Sequence, residues 1–370
     1  MIESRKLLGK SINMTGIIGQ NGKSTIAHMI HHCYHALEIE SEISRSAEIL
    51  KKINQKSYEK KVKDVIIEVC QRDIREKRVG YLDFDTLILT NTGENNDTDD
   101  IWTMKRPFIA LPINKTAVIN IDDEKGVDFC NMTIASTVTY GMSELANIRA
   151  TDIQLTPTKT HFDLHYQGTF IFRAETPYFG LYNLYNTLAT IAHFTSEGYD
   201  AIRIAKLLPE LPPLEGRYDT FVTDSNIRVV VDCAKNFEAV KAILTSLKEI
   251  CSGRIITVIG ADGGTTRHQR QLIGGVALSY SDQVVITSDD PQDVEPQEII
   301  YDMIKSTFRQ NYRLCIDREK AIEVALKLAK PNDIVVILGK GHIKTQIIKD
   351  KTLPFCDNKT VAYLTEKFEI

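Results

Sequence analysis

The stretch Ile12-Asn-Met-Thr-Gly-Ile-Ile-Gly-Gln-Asn-Gly-Lys-Ser-Thr25 constrains the fold more than any other part of the chain. Ile12–Ile18 is a short apolar run with the composition of a buried strand. From Thr25 onward apolar residues return at helical steps, at Ile26, Met29, Ile30, Cys33 and Leu37, so one helix face is made for a core. A glycine-rich turn joins the two. Such a turn can bring backbone N–H groups up to a polyphosphate, and the helix N-terminus adds its positive dipole end. Lys23 then supplies a mobile charge for the outer phosphates, and Ser24 a hydroxyl for Mg2+. The general phosphate-loop spacing asks for glycine at position 17, where this chain has Ile. A glycine turn with an incidental lysine is the competing reading, and the flanking strand and helix weigh against it. Nucleotide binding through Gly19, Asn21, Gly22, Lys23, Ser24 and Thr25 is the expectation.

Further buried-type strands follow at Asp64–Val69, Thr86–Thr90 and Thr116–Ile121, with helical spacing between them. This alternation predicts an α/β fold with a mostly parallel sheet covered on both faces. Residues 150–174 switch to period-two alternation, which predicts an antiparallel hairpin or edge sheet. A helix carrying Leu184, Leu188, Ile191 and Ala192 comes next. The segment Leu208-Pro-Glu-Leu-Pro-Pro holds too many prolines for regular structure and marks a boundary. Strands then return at 228–231, 255–260, 283–287 and 334–339, with helices at 238–250 and 296–308. At 370 residues the chain has room for two or more domains of about 150 residues. The expected division is 1–221 for a phosphate-loop ATPase domain and 222–370 for a Rossmann-like α/β domain.

Composition excludes more than it identifies. A net charge of −4, from 45 basic and 49 acidic residues, leaves no footprint for nucleic acid or an anionic membrane. No apolar run is long enough for a membrane span. Seven cysteines form no CxxC pair and read as reduced thiols of a cytoplasmic protein. His28, His31, His32 and His35 share one helix face, a row able to bind Zn2+ or Ni2+, although no carboxylate accompanies it and a solvated polar face explains it.

The variant loop G-x-x-G-x-N-G-K-S-T resembles that of the Mur ligase family, the ATP-dependent amide-forming ligases to which folylpolyglutamate synthetase is related. Other stretches agree in order over nearly the whole chain: Phe84–Asn91, Ala117–Asp123, Asn183-Leu-Tyr-Asn186, Gly216-Arg-Tyr218, Val231–Lys235, Thr287–Pro291, Asp317-Arg318 and Gly339–His342. The last group resembles the tripeptide-synthetase branch.

The resemblance implies a carboxylate attacking the ATP γ-phosphate and an amine attacking the resulting acyl phosphate, with ATP and Mg2+ as cofactors. It assigns Ser24 and Glu68 to Mg2+, and Asn183, Asn186, Arg217 and Asp232 to the nucleotide. Lys235 stands where the family has His. The catalytic set it implies is Lys23, Glu68, Lys105 and Lys235, with the nucleotide between Lys23 and the 232–235 segment. Lys105 matches a carbamylated lysine, although an ordinary lysine beside Arg106 fits the spacing equally well. Asp289, Asp290, Gln292, Lys340 and His342 are expected at the amine or acceptor pocket.

Departures from the family pattern are specific. Gln292 replaces the Arg that selects diaminopimelate, and Ile343 replaces a Glu. Losing Arg removes a bidentate carboxylate clamp. Cys70-Gln71-Arg72 replaces Ser-Ser-His, and the acidic run 95–100 replaces a histidine-containing metal loop. The early phosphate loop implies that a UDP-binding domain is absent or supplied by a partner protein. The expectation is thus a ligase of a small-molecule carboxylate and amine, with a substrate pair other than UDP-muramoyl peptide and diaminopimelate. A ring-closing ligase of a cofactor pathway and a nucleotide-binding subunit acting through a partner are the alternatives.

Overall fold

The computed structural model describes residues 12–46, 48, 62–93, 98–305 and 307–369. Two compact units divide the chain, one of residues up to Gln154 together with Lys159–Pro212, the other of Leu155–Thr158 with Pro213–Ile370.

The first unit is built on nine strands: β1 (Asn13–Ile18), β2 (Ser41–Arg45), β3 (Asp64–Glu68), β4 (Thr86–Leu89), β5 (Thr116–Asn120), β6 (Ser136–Gly141), β7 (Ile148–Thr156), β8 (Lys159–Tyr166) and β9 (Thr169–Thr176). Their order is β2-β3-β1-β4-β5-β6-β7-β8-β9. Pairing is parallel from β2 through β7, and antiparallel between β8 and β9. The apolar, β-branched composition of β1, β3, β4 and β5 suits burial on both faces. On one face Met14, Ile18, Val65, Ile67, Leu87, Leu89 and Ile119 form a core with Met104, Phe108 and Phe129 from the helices Thr98–Ile109 and Gly126–Met132. Phe108 and Phe129 meet edge to face at 5.1 Å, a favoured aromatic geometry.

The second unit has β10 (Asp219–Val222), β11 (Arg228–Asp232), β12 (Ile255–Ile259), β13 (Gln283–Ile286), β14 (Tyr312–Leu314) and β15 (Ile334–Leu338) in the order β10-β11-β15-β12-β13-β14. Every pair is parallel except β10 with β11. A small hairpin, β16 (Thr345–Ile348) and β17 (Lys351–Pro354), follows. The sheet is therefore mixed only at its edge, and the α/β reading holds in both units.

The period-two stretch at 150–174 does form strands ending in an antiparallel hairpin. Of the residues assigned to the buried face of helix Lys23–Ala36, Ile26, Met29, Ile30 and Cys33 are fully buried, while Leu37 caps the helix half-buried. The expected division at residue 222 moves earlier. β10 is hydrogen-bonded to β11, so residues 219–222 belong to the second sheet, and the units part between the two prolines 212 and 213. Among the described residues no helix is long and apolar enough to cross a membrane.

The second unit holds a fully buried ion pair. Arg318 donates through Nε and Nη2 to the two carboxylate oxygens of Asp357, each at 2.8 Å, and through Nη2 to the Leu338 carbonyl at 3.0 Å. Both side chains are fully buried. Asp357→Asn leaves a buried guanidinium without its counter-charge. Thermal unfolding should show a loss of about 3–5 kcal/mol; a change below about 1 kcal/mol would contradict the pairing.

Candidate functional site

In the first unit the chemistry-bearing residues gather at the carboxyl ends of adjacent parallel strands. β3 ends in Glu68, β1 opens into Gly19–Ser24, β4 runs into Thr90-Asn91, and β5 ends in Asn120 before Asp122 and Asp123. This crevice is where open α/β sheets bind ligands. The turn has positive φ at Gly19 (144°) and Gly22 (89°), which side chains rarely adopt. Space forbids them too. A Cβ on Gly19 would collide with Thr90 Oγ1, and one on Gly22 with Asn186 Oδ1. Asn91 clamps the turn from the β4 side. Its carbonyl accepts from Gln20 N (2.9 Å), its Oδ1 from Asn21 N (3.1 Å), and its Nδ2 donates to the Asn21 carbonyl (3.2 Å).

Lys23 Nζ donates back to the Gly19 carbonyl at 2.5 Å and the Gln20 carbonyl at 3.1 Å. Ser24 Oγ donates to Glu68 Oε2 at 2.6 Å. A hydroxyl and a carboxylate oxygen, both half-buried and in contact beside a lysine-bearing turn, form a hard donor pair that suits Mg2+. Thr25 is buried beneath them.

The helix Leu181–Ser196 supplies the other wall. Asn183 is buried, donates to the Phe179 carbonyl (2.9 Å) and accepts from Asn186 Nδ2 (3.1 Å). It is thus an internal brace, and Asn186 is the residue set against Gly22. Asp122 accepts from Ser143 N and the Tyr185 hydroxyl, each at 3.0 Å, and Asp123 accepts from Thr92 N and Oγ1 at 2.7 and 2.8 Å.

A polar cluster ties this helix to the phosphate-loop helix. Tyr34 donates to Glu197, 2.7 and 2.8 Å from its oxygens, and meets His193 Nε2 at 3.1 Å. Burial pushes the Glu197 carboxyl up to about 7, the Tyr34 bond partly opposing it, and lowers His193 to about 4. The fold therefore disfavours ionised Glu197. This penalty is absent below the usual carboxylate range, grows as pH rises toward 7, and is full above it. Glu197→Gln should be more stable than the parent at pH 8 by on the order of 2 kcal/mol and equal to it near pH 4. Urea unfolding at the two pH values measures this, and a pH-independent difference would contradict it.

Lys105 departs from its expected surroundings. It is 7% exposed, donates to Asp128 (3.1 Å) and lies 5.5 and 5.7 Å from the ring centres of Trp102 and Phe129. It is a buried lysine paired with Asp128 on a core helix rather than an exposed one beside Arg106. Of the acidic run, residues 95–97 lie outside the described residues, while Asp99 and Asp100 open the helix Thr98–Ile109 and Asp100 pairs with Arg75. His31 Nδ1 meets Ser41 Oγ at 2.9 Å, and among the described residues the histidine row brings no three ligand atoms within one ion's reach.

In the second unit β11, β15, β12 and β13 likewise deliver Asp232, Gly339-Lys340, Gly260–Asp262 and Asp289-Asp290 at neighbouring carboxyl ends. Asp232 is 6% exposed. Its oxygens accept from Tyr218 N and Ala234 N, each at 2.8 Å, which welds the Gly216-Arg217-Tyr218 turn to the strand. Burial raises its pKa, with Arg217 and these bonds opposing. Asp232 therefore acts as a structural tie.

Lys340 is fully buried and donates to Asp289 (3.1 Å), Asp290 (2.6 Å) and the Thr345 carbonyl (2.8 Å). All three ammonium donors are used internally, so Lys340 is a counter-ion within the pocket wall and not a substrate-facing group. Asp289 is buried with it, and Asp290 also accepts from Ile347 N at 2.9 Å. Gln292 and His342 are exposed, as is Lys235, which pairs with Asp262 at 3.1 Å. Ligand atoms of Asp262, Asp289 and Asp290 lie within 4.8 Å of one another.

The sequence motifs end at Asn91 and at Asp123, and Asp262 lies just past the strand at 255–260; none of the three is assigned a place in the site by the sequence. The available signal was their position just after an apolar strand, the same signal that identified the phosphate loop.

The fold and this loop define a nucleotide-dependent α/β enzyme. Residues 17–194 match the Mur ligase middle domain and residues 216–341 the Mur ligase glutamate ligase domain. The chain is 30% identical to the UDP-N-acetylmuramoyl-L-alanyl-D-glutamate–2,6-diaminopimelate ligase of Halalkalibacterium halodurans, over 95% of this chain and 77% of that protein. Among solved structures it resembles MurF from Acinetobacter baumannii (TM-score 0.76, 14% identity, 98% of this chain and 79% of that one). It also resembles a Mycobacterium tuberculosis folylpolyglutamate synthase complexed with ADP (TM-score 0.74, 14% identity, 91% and 90%). The chain belongs to the Mur ligase family and is an ATP-dependent, ADP-forming ligase.

If the glycine at 22 is required by both φ and the Asn186 contact, Gly22→Ala should lose ATP affinity by more than about tenfold. Asn186→Gly in the same chain should fail to restore it, because the φ of 89° stays unfavourable for alanine. Calorimetric titration with ATP measures both.

Proposed function

We propose that the chain joins a small-molecule carboxylate to an amine through an acyl phosphate, with an amine substrate other than diaminopimelate. The observation that carries the reaction type is the contact of Ser24 with Glu68 beside Lys23, on a turn with two obligate glycines. Ser24 and Glu68 would hold Mg2+, which when bound neutralises charge on phosphate oxygens. Lys23 would leave the Gly19 and Gln20 carbonyls for the outer phosphates, and the turn's backbone N–H groups would cradle them.

A substrate carboxylate oxygen attacks the γ-phosphorus, and the bond to ADP breaks with its electrons on ADP. The amine then attacks the acyl carbon, phosphate leaves, and the amine gives up a proton. In this proposal the phosphate loop positions and neutralises charge rather than transferring protons. On the second unit Lys235 is the exposed cation proposed to favour phosphate. Burial works against its charge, but Asp262 first, then Asp289 and Asp290, raise its pKa, which keeps it protonated.

The amine reading rests on Gln292. Its backbone is fixed at φ 51° by bonds to Ile347 and Lys349, and its side chain is exposed. A neutral amide there cannot make a charge-assisted bidentate pair with a carboxylate. The buried Arg318 of this unit is already committed to Asp357, and the buried Lys340 to Asp289 and Asp290. The acceptor in the Halalkalibacterium relative's name, a UDP-muramoyl dipeptide, is the first carboxylate to offer.

ADP release from Mg·ATP, with pools of carboxylates and amines and Lys23→Ala as the blank, tests this. Turnover should need one carboxylate and one amine, vanish in the blank and be absent with diaminopimelate. Turnover with diaminopimelate as good as with any other amine would overturn the selectivity. Turnover with a carboxylate alone would favour ring closure instead, and ATP binding without turnover a partner-dependent subunit.

A further inference from the structure

The histidine row of the helix Lys23–Ala36 takes no part in the chemistry above. It contains two pairs at i,i+4 spacing, His28 with His32 and His31 with His35. Residues so spaced lie one turn apart on one helix face, and two histidines there can present nitrogen ligands to a transition-metal ion. Spacing alone does not choose between the pairs, but the fold does.

His31 Nδ1 lies 2.9 Å from Ser41 Oγ, and Ser41 is fixed in the sheet by the pairing of β2 with Asp64 on β3. When Nδ1–H donates to that hydroxyl, the ring is oriented and Nε2 keeps its lone pair for a metal. The carboxylate that the helix face lacks comes from just beyond its end. Glu40, whose carbonyl accepts from Lys63 N (3.0 Å) and Asp64 N (3.4 Å), stands near enough for its charge to favour a positive His31. His35 is exposed and lies in the last turn, where the carbonyl end of the helix dipole favours a cation. His28 and His32 sit in the middle of the helix. Burial and the neighbouring His28 and His35 lower the His31 pKa, Glu40 opposing, so its ring is in the neutral, ligating form at pH 7.

We propose that His31 and His35 form a site for one divalent transition-metal ion of the Zn2+ or Ni2+ class, with Ser41 orienting His31 and Glu40 supplying negative charge. Among the described residues no three ligand atoms of the row come within one ion's reach, so the ion takes two imidazoles and water completes its coordination. Imidazole nitrogen suits such ions, whereas the hydroxyl and carboxylate oxygens of Ser24 and Glu68 suit Mg2+. The two sites therefore select different metals.

The full chain, purified without added histidines, is titrated with Zn2+ by calorimetry in excess Mg2+, beside His35→Gln, Ser41→Ala and the double variant His28→Gln with His32→Gln. The parent should bind one Zn2+ at this site and lose it near pH 5, where protons compete for imidazole. His35→Gln should weaken binding by more than about tenfold, and with its exposed side chain should melt like the parent when metal-free. Ser41→Ala should weaken binding about tenfold, the scale of a lost partner to a ligand. The double variant should stay within about threefold of the parent, because it keeps both proposed ligands.

Unchanged Zn2+ affinity in His35→Gln would overturn the site and place the ion on other groups, such as a thiol. A loss in the double variant as large as that in His35→Gln would overturn it in favour of the middle of the row. Unchanged affinity in Ser41→Ala would overturn the orienting role, and absence of Zn2+ binding by the parent would overturn the whole proposal. None of these outcomes bears on the ligase reading, which ADP release tests separately.

Discussion

Two glycines hold the candidate site of the first unit together. Gly19 lies against Thr90 and Asn91 at the end of β4, and Gly22 lies against Asn186 on the helix Leu181–Ser196. The turn is thus wedged between a strand end and a helix that are far apart in sequence. Every other feature of the site follows from this wedge. It sets the start of the helix Lys23–Ala36, directs Lys23 back onto its own turn, and brings Ser24 within hydrogen-bond reach of Glu68 on the neighbouring strand. The Tyr34, His193 and Glu197 cluster fixes the two helices at their far ends, so the wedge is supported along its length.

The second unit uses charge where the first uses close backbone approach. Lys340 neutralises Asp289 and Asp290, and Arg318 neutralises Asp357, all at or near the carboxyl edge of the sheet. Buried pairs of this kind give little net stability but leave few alternative arrangements, since any other packing strands a charge. Gln292, His342 and Lys235 are the predicted site residues of this unit left facing solvent.

Much of this was legible in the residues. The strand and helix alternation, the phosphate loop and the placement of Glu68 at a strand end all come from local patterns of apolar and polar residues. Strands β2 and β6 were not legible, because Ser-Glu-Ile-Ser-Arg and Ser-Thr-Val-Thr-Tyr-Gly carry too few apolar residues to mark a buried run. The compact units part between residues 212 and 213 rather than near 222, because the short strand β10 pairs with β11 largely through backbone bonds, which leave little trace in side-chain pattern. The motif residues divided in the same way: Lys340, Asn183 and Asp232 match family positions, yet the structure shows them spent on internal hydrogen bonds.

The sequence by itself determined which segments become strands and helices and where a polyphosphate can approach the backbone, since both depend on spacing along the chain. Only the tertiary structure decided which polar groups face outward, which are consumed as counter-ions, and that the Thr90 hydroxyl is left unpaired beside Gly19. Those outcomes depend on partners up to 164 positions apart, as the Asn186 contact with Gly22 and the Thr90 contact with Gly19 show. Hydrogen bonding and burial are settled by distance in space, and no local pattern encodes that distance.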